Sequence, residues 1–373
     1  MKDINNFIST RLNQREQNNS LRFLKPENSL IDFCSNDYLG FARSHELRTL
    51  FENELNKYPE YHMGSAGSRL LAGNDSFTEE LEKEIAEFHE AEAALIYNSG
   101  YDANIGIFAC LPQRGDTIIT DEYIHASIID GARLSHATRY VFKHNNLESL
   151  EQKLKMAKGN IYIAVESVYS MDGDEAPLTE ICKLAKRFNA ALIVDEAHAT
   201  GILGEFGKGL VYELGLSEDV FARIITFGKG LGTHGAAVLG SAKLRSYLIN
   251  FSRSFIYTTA ASFLSHLSTK VSYSYLKSIN HQAEIHKRIQ HFISNIDPDK
   301  NLLTSRSAIQ AILVRGNTRA KEISSKIQEA GFDVRAILSP SVPEGAERLR
   351  ICIHNHNSMS EIKSLSQHLN HLL

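Results

Sequence analysis

Short apolar runs alternate with stretches of helical pattern, and this alternation constrains the fold more than any other feature of the chain. The runs cover residues 93–97, 117–120, 161–165, 190–194 and 222–227. Helix-like stretches begin at about 103, near 127–134 and over 180–188. A strand buried on both faces reads as one apolar run, and parallel neighbours need crossover helices. The pattern predicts an α/β fold with a mainly parallel sheet covered on both faces. Ahead of it, Ser76 and Glu79 suggest a capping box for a helix with Phe77, Leu81, Ile85 and Phe88 on its apolar face. Beyond about Leu276 the chain turns more polar. Segments 287–295, 308–314, 321–330 and 349–353 then suggest a smaller α+β domain. The expected division is an N-terminal segment 1–39, a large α/β domain 40–262 and a small C-terminal domain 263–373.

Composition narrows the function. The 373 residues are 43% hydrophobic and 23% charged, values of an ordinary globular chain rather than a disordered one. The net charge of -4, with scattered basic residues, gives no support for nucleic-acid or membrane-surface binding. Cys34, Cys110, Cys182 and Cys352 form no Cys-x-x-Cys pair, so neither a structural zinc site nor any other metal is expected. No segment has the length and apolarity of a membrane span, and no signal peptide is visible. The expected location is the cytoplasm.

In open α/β sheets, ligands gather at the carboxyl ends of strands. Four such ends carry polar residues here: Asn98-Ser99-Gly100-Tyr101, Ser167-Val168-Tyr169-Ser170, Asp195 with His198, and Thr226 with Lys229. Singly, each has a plain reading. Asp195 could be a helix N-cap, Gly100 a turn and Lys229 a solvated loop lysine. Together they offer an amide-rich anion seat, an acid and a lysine. A lysine that binds a carbonyl covalently and an acid that holds a ring nitrogen are what pyridoxal phosphate requires of its protein. Gly228-Lys229-Gly230 is no P-loop, because Arg223 and Gly230 stand where glycine and Ser or Thr are needed. It is no dinucleotide fingerprint either, since no acid follows near residues 250–254.

The chain resembles the α-oxoamine synthases over roughly residues 35–350. The resemblance rests on Ser35-Asn36-Asp37-Tyr38-Leu39-Gly40, Asn98-Ser99-Gly100-Tyr101-Asp102-Ala103-Asn104 and Ser170-Met171-Asp172-Gly173-Asp174. It rests further on Asp195-Glu196-Ala197-His198-Ala199-Thr200-Gly201, Thr226-Phe227-Gly228-Lys229, Gly235-Ala236-Ala237-Val238 and Arg348-Leu349-Arg350. It implies an aspartate-aminotransferase-like, fold type I pyridoxal phosphate transferase. The implied reaction is a decarboxylative condensation, in first choice of L-alanine with a pimeloyl thioester to give 8-amino-7-oxononanoate for biotin. Sister reactions join glycine with an acetyl group, serine with a palmitoyl group, or make a signalling aminoketone. A non-catalytic partner subunit is the remaining alternative, and it would not need Lys229.

The resemblance also implies roles. Lys229 carries the cofactor and moves the α-proton, Asp195 pairs with the ring nitrogen and His125 stacks on the ring. Ser170 and His198 meet the phenolic oxygen. Gly100, Tyr101 and Thr226 bind the phosphate, and Thr258 and Thr259 reach the phosphate of a second subunit in a homodimer with shared sites. Asn36 and Arg350 hold the amino-acid carboxylate. Arg22 and Ser341 are the candidates for the acyl group, delivered by coenzyme A or a carrier protein. The chain departs from the family pattern at Ala260-Ala261-Ser262-Phe263, where a small residue and proline are usual.

Overall fold

A computed structural model describes residues 3–18, 20–24, 26 and 29–373. Met1 and Lys2 of the polar start lie outside the described residues. A short strand, β1 (Ile31–Asp32), precedes the main sheet. That sheet has seven strands: β2 (Ala93–Tyr97), β3 (Thr117–Asp121), β4 (Thr138–Phe142), β5 (Ile161–Glu166), β6 (Ala191–Asp195), β7 (Ala222–Thr226) and β8 (Ala236–Gly240). Their order is β2-β8-β7-β6-β5-β3-β4. β8 runs antiparallel to its neighbours β2 and β7, and the other pairs are parallel. The carboxyl ends of β2, β3, β5, β6 and β7 therefore share one edge.

Both faces of this sheet are buried, which is why its strands read as unbroken apolar runs. Leu95, Ile118, Ala164, Ile193 and Ile224 pack beneath the helices Gly100–Cys110 and Ala126–Leu134. Ile96, Ile119, Val165, Val194 and Ile225 face the opposite core. That core includes Leu81 and Ile85 of helix Ser76–Phe88 and Ile181 of helix Leu178–Arg187.

Several expectations shift. The helix Ser76–Phe88 is capped by Asp75, not Ser76, because the Asp75 carboxylate takes the Thr78 amide at 2.7 Å. An anionic cap also suits the helix dipole better than a hydroxyl. The next helix starts at Gly100 rather than near 103, since Ser99 caps the amide of Asp102. Two strands of the main sheet were not expected. β4 lies at the sheet edge, partly exposed, so it lacks a full apolar run. β8 is buried but small-sided, Ala236-Ala237-Val238-Leu239-Gly240, and reads poorly as a strand.

The C-terminal part holds β9 (Ile309–Leu313), β10 (Phe332–Asp333), β11 (Arg335–Ile337) and β12 (Arg348–Cys352). β11, β12 and β9 form an antiparallel sheet with β12 in the middle. β10 pairs with β1. The Cys352 amide donates to Phe33 O at 2.8 Å and Asn357 Nδ2 to Asp32 O at 3.0 Å. The segment after residue 30 is thus fastened to the far end of the chain, which brings Asn36 to Arg350. Among the described residues, no helix is long and apolar enough to cross a membrane.

Candidate active site

β6 and β7 deliver the acid and the lysine at one edge, as the strand pattern required. Asp195 ends β6 and is buried. Its Oδ2 accepts from Asn104 Nδ2 at 2.8 Å and its Oδ1 from the Ala197 amide at 2.9 Å. Both oxygens accept, as those of an ionised carboxylate do. Its cross-strand neighbour is Glu166, at the end of β5. Burial and the Asp195 charge push the Glu166 carboxyl up to about 8, so it stays protonated at neutral pH. Its Oε1 is buried with no hydrogen-bond partner, as is Asn104 Oδ1.

Lys229 follows β7 and its Nζ lies 2.9 Å from His198 Nε2. Burial lowers the Lys229 amine below its ordinary value, against the pull of Asp195. His198 is pushed well down by burial and by Lys229, so it is neutral. His125 caps helix Ala126–Leu134, and its Nδ1 accepts from the Ser127 amide at 3.3 Å. Burial lowers it too.

An anion seat lies on the same edge. Gly100 and Tyr101 open helix Gly100–Cys110, and first-turn amides have no carbonyl partner within a helix. Register sets Tyr97 of β2 and Thr226 of β7 against the same residue, Ala236 of β8. A Cβ at Gly100 would stand 2.6 Å from Thr226 Cγ2, so only glycine lets these two meet. The Tyr101 side chain points elsewhere and donates to Asp130 Oδ2 at 2.7 Å. Asn98 Nδ2 reaches Thr258 Oγ1 at 3.0 Å and Thr259 O at 2.8 Å, which ties this threonine pair to the turn after β2.

Arg350, on β12, is held from three sides. It donates to Ser170 O at 2.7 Å, to Asn36 Oδ1 at 2.9 Å and to Cys352 Sγ at 3.0 Å. A cavity of about 660 Å³ opens next to it. Ile124, His125, Ile129, Met171 and Val342 line it, and the buried Arg348 there is paired with Asp172. A volume of this order takes a ligand of drug size. Ser341 belongs to the cavity wall, and Arg22 Nη2 donates to Ser341 Oγ at 3.3 Å. The two acyl candidates therefore meet at one mouth.

Behind the cavity, His144 Nδ1 meets Asp121 Oδ1 at 2.9 Å and Nε2 meets Asp174 Oδ2 at 2.7 Å. Two carboxylates need two donors, so the ring is an imidazolium. It stacks on Tyr123 of the cavity wall at 4.4 Å. Burial pulls His144 down, but Asp121 and Asp174 outweigh it and hold it at about 9. A raised histidine stabilises fully below its unfolded value of about 6.5 and loses that contribution as pH rises through about 9. We expect His144→Gln to melt below the parent at about pH 7, with the gap closing by about pH 10. A gap unchanged across that range would show that charge at His144 is not its source.

The structure brings Asn36, Ser170, His198, Lys229 and Arg350 into one site and places Gly100 and Thr226 together at its anion seat. Sequence reasoning assigned no role to Glu166, Asn104 or Tyr38. Glu166 stands one residue past an apolar run, where the strand-end rule could have found it. The partly unsatisfied Glu166 and Asn104, the acid, the lysine and the anion seat fit a phosphorylated pyridine aldehyde such as pyridoxal phosphate.

The chain matches the aminotransferase class I and II family over residues 28–369. It is 41% identical over 361 residues to an 8-amino-7-oxononanoate synthase of Emericella nidulans, covering 90% of this chain and 88% of that protein. The crystal structure of an 8-amino-7-oxononanoate synthase from Francisella tularensis superposes with a TM-score of 0.79 at 29% identity, covering 92% and 98%. A serine palmitoyltransferase of Sphingomonas wittichii superposes with a TM-score of 0.85 at 28% identity, covering 92% and 87%. The chain belongs to the aminotransferase class I and II family, and within it to the α-oxoamine synthases.

Proposed function

We propose that this protein condenses L-alanine with a pimeloyl thioester, using pyridoxal phosphate, to give 8-amino-7-oxononanoate, carbon dioxide and free thiol. The observation that carries the reading is sequence identity of 41% and 40%, over nearly the whole chain, to proteins named for that product. The serine palmitoyltransferases resemble it in fold at 24–28% identity.

Bound pyridoxal phosphate supplies an electron sink for the charge left at the amino acid's α-carbon. The chain's own groups do the rest. Lys229 would hold the cofactor and move the α-proton, a role that the basicity lowered by burial favours. Asp195 would pair with the ring nitrogen and keep it protonated. The neutral Glu166 beside it adds no second negative charge. His125, Ser170 and His198 would hold the cofactor, His125 on the ring and the other two at its phenolic oxygen. Gly100, Tyr101 and Thr226 take the phosphate. Arg350 and Asn36 orient the carboxylate that leaves as carbon dioxide. The acyl chain enters the cavity lined by Ile124, Ile129 and Met171, with Arg22 and Ser341 at its mouth. A new carbon–carbon bond forms at the thioester carbonyl as the thiol departs.

Thr258 and Thr259 completing the phosphate seat of a second subunit would make the working unit a homodimer. A soluble dimer of this kind fits the cytoplasm. The acyl donor is tested by incubating the holoprotein with L-alanine and pimeloyl-CoA and following carbon dioxide and free thiol. Turnover is expected with that pair. Turnover confined to glycine with acetyl-CoA, or to serine with palmitoyl-CoA, would place the protein in a sister reaction.

A further inference from the structure

One hydrogen-bonded chain runs through the site from Lys229 to Arg350. Lys229 Nζ lies 2.9 Å from His198 Nε2, and His198 Nδ1 lies 2.6 Å from Tyr38 Oη. Tyr38 Oη lies 3.0 Å from Asn36 Oδ1, which Arg350 Nη2 also reaches at 2.9 Å. Tyr38 is 0% exposed and His198 5%, so the two groups depend on each other rather than on solvent.

Counting donors leaves two proton arrangements, and in the first the His198 lone pair faces Lys229. A guanidinium only donates, so the Asn36 atom facing Arg350 is the oxygen, which only accepts. Tyr38 gives its one hydroxyl proton to that oxygen. The Tyr38 oxygen then accepts from His198, which places the imidazole proton on Nδ1. The Nε2 lone pair is left facing the Lys229 ammonium, a donor. In the opposite arrangement Nε2 carries the proton, and Tyr38 turns its hydroxyl to Nδ1. Asn36 Oδ1 is then left to Arg350 alone. The two arrangements differ by one hydroxyl rotation and one ring proton.

We propose that Tyr38 is the positioning residue that sets the tautomer of His198 and links it to the carboxylate-binding pair Asn36 and Arg350. With the Lys229 amine free, His198 accepts through Nε2. Facing the phenolic oxygen of pyridoxal phosphate, His198 donates through Nε2, and Tyr38 supplies the proton that satisfies Nδ1. A hydroxyl can serve both arrangements because it donates once and accepts as well. A phenyl ring can serve neither. This rests on the cofactor reading but not on the acyl donor, and no thioester enters the test.

The test is a pH titration of the visible cofactor band in parent and Tyr38→Phe holoprotein, with bound cofactor counted by borohydride trapping. The variant is expected to bind cofactor with its titration midpoint displaced by about 1 unit or more, a tenfold change in the proton equilibrium. An unchanged midpoint would overturn the proposal. A second measurement needs no variant. Nitrogen-15 histidine NMR of the cofactor-free parent should find the His198 proton on Nδ1, and a proton on Nε2 would overturn the proposal. A parent that takes up no cofactor would count against the functional reading instead, while the NMR result still decides the role of Tyr38.

Discussion

Lys229→Ala is expected to reduce turnover by at least about 10³-fold, because it removes both the covalent anchor and the base. Borohydride treatment should fix the cofactor to the parent chain at Lys229 and leave the variant unmodified at that peptide. The fold should survive. The Lys229 amine is hydrogen-bonded to His198, and alanine leaves a neutral imidazole still held by Tyr38. A variant that kept even a tenth of parental turnover, or a parent labelled at a different lysine, would refute the assignment.

Asp195→Asn is expected to lower turnover by about 10²- to 10⁴-fold, the range for a group that fixes a proton in the reacting state. The local structure should absorb the change. Asn104 Nδ2 donates to Asp195, while Asn104 Oδ1 is buried without a partner. Rotating the Asn104 amide by half a turn would present its oxygen to the side-chain amide introduced at position 195. Charge is lost but the hydrogen bond is kept. The thermal midpoint should therefore stay close to the parent's while turnover falls. The Michaelis constant for the amino acid should change little, since Arg350 and Asn36 are untouched. A collapse of stability matching the loss of turnover would instead make Asp195 a structural acid.

How much of this was legible in the sequence follows from what each residue does. Asp195 and Lys229 stood out because each interrupts a buried apolar run at its end, where charge has no packing role. The anion seat was legible for the same reason, through Gly100 after β2. The helix start was misplaced by three residues because Ser99 caps it, and an isolated serine is a weaker signal than an apolar stripe. Strand β4 escaped notice because an edge strand is only half covered, and β8 because its alanines and glycine carry little strand character. Glu166 was missed although it obeys the strand-end rule. Its protonation depends first on burial and then on standing beside Asp195, and that neighbour is set by sheet register. Tyr38 was legible only as part of a motif. Its contacts reach to His198, 160 positions away in sequence, and no local pattern encodes that distance.

The pairing of β1 with β10 has a consequence for how the protein is made. Synthesis completes the acid and the lysine by about residue 229, and the anion seat once β8 at residues 236–240 can enter between β2 and β7. Arg350, proposed to read the amino acid, arrives some 110 residues after β8, and Asn36 waits near the start of the chain until it does. Domains generally fold in order as they emerge. On the proposed roles, a nascent or prematurely terminated chain would hold the cofactor residues without Arg350, the residue proposed to select the amino acid. Only the last stretch to be translated joins the two ends and gives the finished protein its specificity.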